Sequence, residues 1–243
     1  MGVRFLLAQG CALALAASLG AGNALAQPQS GAGGVFITPE ALQQYLAERQ
    51  EVESALAVYE AGRLREAEQR FHALARRGSA VARYNLAMMH VLDEAAKPDK
   101  RAAVRLLEQS AGQGFVRSEY ALGQVYELGV IDRPDQRRAV QWYERAARHG
   151  HPEAQMALAT AYYLGRGTAQ DLPQAAHWYR LAAQGGDIGA QYLIGSMYEA
   201  GYGVEQDLRI ARYWYDVAAQ NGDEAAPHKV RELDERLKAA PAE

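Results

Sequence analysis

The chain has 243 residues, one cysteine, 26 basic and 29 acidic side chains, and a formal charge of −3. That balance gives no general attraction to a polyanion such as nucleic acid, and a lone cysteine excludes a disulfide framework. With 14 tyrosines against 4 phenylalanines and abundant alanine and glycine, the composition suits helices packed closely through small residues.

Residues 1–26 predict a secretory signal. Arg4 supplies the positive charge, Phe5 to Leu19 is mostly apolar, and Ala24-Leu25-Ala26 offers small residues for cleavage before Gln27. The apolar run is short for a membrane span, and no second run of suitable length follows. Removing the signal takes away Arg4 alone among charged residues, so the mature chain is one unit more negative and soluble. Cys11 lies inside the signal; a lipoprotein reading of Ala8-Gln9-Gly10-Cys11 fits poorly because the apolar run continues beyond it.

Residues 27–37, which include Pro28, Ser30 and Gly31, predict a flexible leader. Thr38-Pro39 has the form of an N-cap followed by the first helical residue. Leu42, Tyr45, Leu46, Val52, Leu56 and Tyr59 then give an approximate helical stripe, compatible with one long helix or two. Ala67, Phe71, Leu74 and Ala75 mark a further helix ending at Gly78, so 38–78 forms an N-terminal helical segment.

From Ser79 a period of 36 residues sets the architecture, giving units 79–114, 115–150, 151–186 and 187–222. Each holds an A helix, a loop and a B helix. In the A helices, Leu86, Leu122, Leu158 and Ile194 share one position and are followed by the small residues Ala87, Gly123, Ala159 and Gly195. In the B helix of the third unit, Ala175, Trp178, Tyr179, Ala182 and Ala183 fall at the spacing of one buried face. Asp99, Asp135, Asp171 and Asp207 stand as N-caps of the B helices, and Gly114, Gly150, Gly186 and Gly222 as their left-handed closing residues. Hairpins of this kind bury both faces only by stacking, which predicts an all-α fold, an α/α solenoid with right-handed superhelical winding. Residues 223–243 add a closing helix, with Val230 and Leu233 inward, and a short tail.

The pattern running from Ala154, Leu158 and Tyr162 through Gly165-x-Gly167 and Asp171 to Ala175, Trp178-Tyr179, Ala182-Ala183 and Gly186 resembles the Sel1-like repeat, a relative of the tetratricopeptide repeat. Ala190 to Gly222 matches it as well. The second unit replaces the Gly-x-Gly loop with Gly129-Val130-Ile131, and the first has Leu106-Leu107 for the aromatic pair and Asp93-Glu94-Ala95 in its loop. Residues 40–78 look more like a tetratricopeptide hairpin. The resemblance implies an exported, periplasmic adaptor, since relatives act as scaffolds and regulators in bacterial envelopes. A cysteine-rich branch associated with β-lactam binding is disulfide-bonded, unlike a mature chain without cysteine.

No catalytic signature is present. Ser30, Ser54, Ser79, Ser110, Ser118 and Ser196 lack a lysine three places on, and there is no nucleophile elbow, phosphate loop or zinc-protease helix. His149-Gly150-His151 with Glu153 is the best metal candidate, but its register position is a solvated turn between units, so no metal or cofactor is expected. His90 and His177 read as packing or capping residues. Trp142, Trp178 and Trp214 lie on the recurrent stripe and read as core rather than as a sugar or base platform. Arg137, Arg138, Arg145 and Arg148 form a basic face whose ordinary meaning is solvated helix surface.

Residues that recur build the fold, whereas unlike residues can encode recognition. By analogy with tetratricopeptide geometry, the A helices line the concave side and present Tyr84, Met88, Tyr120, Gln124, Glu127, Met156, Thr160, Tyr163, Tyr192, Ser196 and Glu199 to a partner. Tyr84, Tyr120, Met156 and Tyr192 repeat at 36 and can equally be packing; Gln124, Thr160, Tyr163 and Ser196 do not recur and are the better specificity candidates. The expected partner is another envelope protein or a peptide segment of one, bound without catalysis. A cell-wall glycan or exopolysaccharide is the alternative, and an enzyme acting on β-lactams or cell wall a weaker one.

Overall fold

The computed structural model describes residues 38–239. The predicted signal, the leader and the last four residues lie outside them. Among the described residues the fold is an all-α solenoid in which each helix packs on the next within two compact units, divided at Pro134 and Asp135. The first unit contains α1 (Pro39–Glu60), α2 (Leu64–Arg76), α3 (Ala80–Val91), α4 (Lys100–Gly112) and α5 (Val116–Leu128). The second contains α6 (Gln136–Arg148), α7 (Pro152–Leu164), α8 (Leu172–Gln184), α9 (Ile188–Ala200), α10 (Leu208–Gln220) and α11 (Ala226–Ala239).

The N-terminal stripe forms one long helix. Thr38 caps it by accepting from the Ala41 amide at 3.2 Å. Its buried residues, Val52, Ala55, Leu56 and Val58, all lie in the C-terminal half and pack with Phe71, Leu74, Leu86 and Met89. Leu42, Tyr45 and Leu46, expected to continue that buried stripe, are exposed instead.

The repeat signals translate into helix ends. Asp99 accepts from two free amides of α4, Asp135 from one of α6, Asp171 from one of α8 and Asp207 from two of α10, at 2.8–3.0 Å. These bonds satisfy donors that have no partner within the helix. At the other end of α6, Gly150 adopts φ +82°, its amide donates to Ala147, and the His151 amide returns to Ala146. That left-handed turn satisfies the last carbonyls and leads into α7 after three intervening residues. The first repeat lacks a glycine after its A helix, yet Asp93 takes the same left-handed conformation there, φ +63° beside +64° at Gly129. A short polar side chain tolerates this region where a branched one does not.

The second glycine of each Gly-x-Gly loop has a different reason. A Cβ on Gly167 would stand 2.3 Å from the Gln136 carbonyl oxygen, and one on Gly203 2.2 Å from that of Leu172. Each loop thus lies on the backbone at the start of the preceding B helix and ties neighbouring repeats together. Ala159, Ala182, Ala190 and Ile194 are fully buried where A and B helices meet, and Gly195 brings its helix against the Tyr215 ring.

Candidate partner-binding site

The A-helix residues divide by burial. Tyr84 and Met88, expected to face outward, are buried at 6% and 5% exposure, and the Tyr84 ring meets Phe115 edge-on at 5.4 Å. The other nine are partly exposed. In the first unit, Tyr120 accepts from the Gln124 amide at 3.2 Å, so these two half-buried side chains are held together on one turn of α5, with Glu127 half-buried in its last turn.

In the second unit, polar groups on the A helices are positioned by tyrosines of the B helices. Tyr179 of α8 is buried; its hydroxyl lies 3.0 Å from Thr160 Oγ1, and Tyr163 lies edge-on to its ring at 6.4 Å. Burial raises the pKa of the Tyr179 phenol, which keeps it protonated and a hydrogen-bonding group at neutral pH. Thr160 also donates to the Met156 carbonyl at 2.9 Å. One repeat later, Tyr215 of α10 is fully buried, stacks edge-on with Tyr192 at 5.0 Å and donates to Glu199 at 2.8 Å. Its phenol is pushed far above the ordinary range by burial and by the Glu199 carboxylate, against a smaller opposing effect of Ser196.

Glu199 is therefore not a free surface acid. Its carboxylate accepts from Tyr215, from Lys229 at 3.3 Å and from Arg236 at 2.9 Å, so α11 is anchored to the end of α9 through it. Burial by itself pushes the carboxyl up, but Tyr215, Lys229 and Arg236 outweigh that and hold its pKa below the ordinary glutamate range. Sequence reasoning missed this cluster. Lys229 and Arg236 lie outside the repeat register, and only their place on the closing helix brings them to Glu199.

The tryptophans depart in part from the core assignment. In the recurrent Trp-Tyr pair it is tyrosine that is buried throughout: Tyr143, Tyr179 and Tyr215 are at most 4% exposed. Trp214 is buried, whereas Trp142 and Trp178 are half-exposed. The Arg145 guanidinium covers the Trp142 ring at 4.6 Å, and His177 meets Trp178 edge-on. His149 follows the last residue of α6 and His151 precedes the first of α7 without a side-chain capping bond, with Glu153 3.1 Å from the His151 ring, so this group lies in the inter-repeat turn. Among the described residues no group of three or more metal-ligating side chains gathers. His90 accepts from the Asp99 amide at 3.2 Å, a capping role. No helix of the described residues is long and apolar enough to cross a membrane.

Comparison with known proteins follows the same register. The segments 80–115, 116–151, 152–187 and 188–223 match the Sel1 repeat, each beginning one residue after the expected unit. A crystal structure of a Sel1 repeat protein from Oxalobacter formigenes is 34% identical, with TM-score 0.64 over 70% of this chain and 49% of that one. The crystal structure of c5321, a protective antigen of uropathogenic Escherichia coli strains displaying an SLR fold, is 26% identical, with TM-score 0.72 over 84% of this chain and 44% of that one. The chain thus spans about half the length of these two relatives. Comparison with curated proteins gives no match. Sel1 repeat proteins generally serve as non-enzymatic scaffolds for protein–protein interaction. With four tandem matches covering more than half of its length, the chain belongs to the Sel1 repeat family.

Proposed function

We propose that this protein is an exported, non-catalytic adaptor of the bacterial periplasm that binds an extended or helical segment of another envelope protein along its A helices. The observation that carries the reading is the pairing of non-recurrent, partly exposed side chains with buried tyrosines that fix them. Thr160 and Tyr163 rest on Tyr179, and Ser196 lies close to Tyr215. Aromatic edges held in this way give apolar contact at low entropic cost, and adjacent hydroxyl and amide groups select orientation. Tyr120 with Gln124 supplies the corresponding pair in the first unit. The apolar run with its small-residue cleavage site at 24–26 supports export.

A Tyr120→Ala/Tyr163→Ala variant tests the reading. Capture of the partner from native envelope extract falls at least about tenfold, as expected on removing two aromatic anchors, with helical content unchanged by circular dichroism. Undiminished capture by the folded variant overturns the assignment.

A further inference from the structure

Two apolar surfaces remain after the repeats, their caps and the A helices are accounted for. The first is the N-terminal half of α1. None of residues 39–51 is buried, and Leu42, Tyr45 and Leu46, at i, i+3 and i+4, are 45%, 43% and 50% exposed. A helical stretch of about 20 Å without tertiary support is marginal in water. The second lies on the outer side of α10, where Ile210 and Tyr213 are 37% and 57% exposed. The same register slots carry Arg138 and Gln141 on α6 and Gln174 and His177 on α8, so the apolar character is particular to α10 and is not demanded by the repeat. Together the two surfaces hold five of the eight large apolar side chains exposed among the described residues.

Their charges are opposite. On α1, Arg49 is bound to Glu53 and Glu51 to Arg77, which leaves the Glu40 and Glu48 carboxylates outside any ion pair among the described residues. Beside Ile210 and Tyr213 stands Arg209, exposed and likewise outside any ion pair. Pairing the N-terminal half of α1 with its own copy would set Glu40, Glu48 and Glu51 against the same three glutamates, and α10 with α10 arginine against arginine. Pairing α1 with α10 joins apolar to apolar and acid to base. We infer that the occupant of each surface is a second copy of this chain, with the N-terminal half of α1 from one copy lying on the outer side of α10 of the next. The contact is heterologous, so copies associate head to tail. With few anchors and exposed charges it is weak and weakened by salt.

Sedimentation velocity on the purified chain tests this. The average mass rises with concentration at low salt and falls as salt is added. Leu46→Asp and Tyr213→Asp, both at exposed positions, each leave a monomer with an unchanged circular dichroism spectrum. Mixed in equal amounts, the two variants regain association as a one-to-one pair and nothing larger, because each retains the surface the other has lost. A wild-type monomer at every concentration overturns the inference. So does association that survives either substitution, including the pattern in which only Leu46→Asp matters, which would mean α1 against α1. Variants that stay monomeric when mixed overturn it too.

Discussion

Glu199 shows how one side chain changes meaning between the sequence and the folded chain. By register it belongs to the A-helix stripe, but Lys229 and Arg236 reach it from the closing helix and Tyr215 donates to it from α10. Its folded pKa lies below the ordinary value, so its interactions stabilise the protein above the unfolded pKa, about 4.3, and this contribution is lost as pH falls through the folded pKa. Glu199→Gln is therefore expected to cost about 1 kcal/mol at neutral pH. Thermal melts of both proteins should differ at pH 7 and converge as the wild-type carboxyl is protonated in acid. A deficit that persists unchanged there would assign the loss to packing and not to charge. Two glycines make a second residue-scale test. Gly222 has φ +100° with open space around it, whereas Gly203 has φ +70° and the Leu172 carbonyl in the way of a Cβ. Gly222→Ala should cost about 1–2 kcal/mol from backbone strain alone. Gly203→Ala should cost roughly 3 kcal/mol or more, because the loop must also leave the preceding helix. Equal shifts in Tm would contradict the close approach.

At the scale of elements, much of the fold was legible. Asp at the start of each B helix, Gly at its end and small residues at the A–B contact are local rules, and each appears at its expected place. What could not be read depends on which surface another element covers. Adjacent tryptophan and tyrosine both fit a helical stripe, and only the packing decides that Tyr179 is buried while Trp178 stays half-exposed. Tyr84 and Met88 occupy A-helix positions equivalent to Tyr120 and Gln124, yet Phe115 and neighbouring core side chains close over the earlier pair. Likewise the stripe from Leu42 to Tyr59 is continuous in sequence, but α2 covers only its later half. Native-state hydrogen exchange on dilute protein should accordingly find amides of 43–51 exchanging rapidly and those of 55–60 protected near the global limit. Uniform protection along α1 would contradict a half-supported helix.

For the whole molecule, the four Sel1 repeats supply helices to two compact units, and most of their recurrent residues are taken up by packing. The proposed recognition surface therefore lies at positions where the repeats differ. That inference was available from the period itself, but not the selection among candidates: burial removes Tyr84 and Met88, the closing helix engages Glu199, and Gln124, Thr160, Tyr163 and Ser196 remain partly exposed. The most direct measurement is photocrosslinking in intact cells, with a photoreactive amino acid placed in turn at Tyr163 of α7 and at Gln184 at the end of α8. The adaptor reading predicts a discrete product containing a second envelope protein from position 163 and none from position 184. Crosslinks to such a protein from 184 alone, or from neither position in cells that export the folded chain, would contradict it.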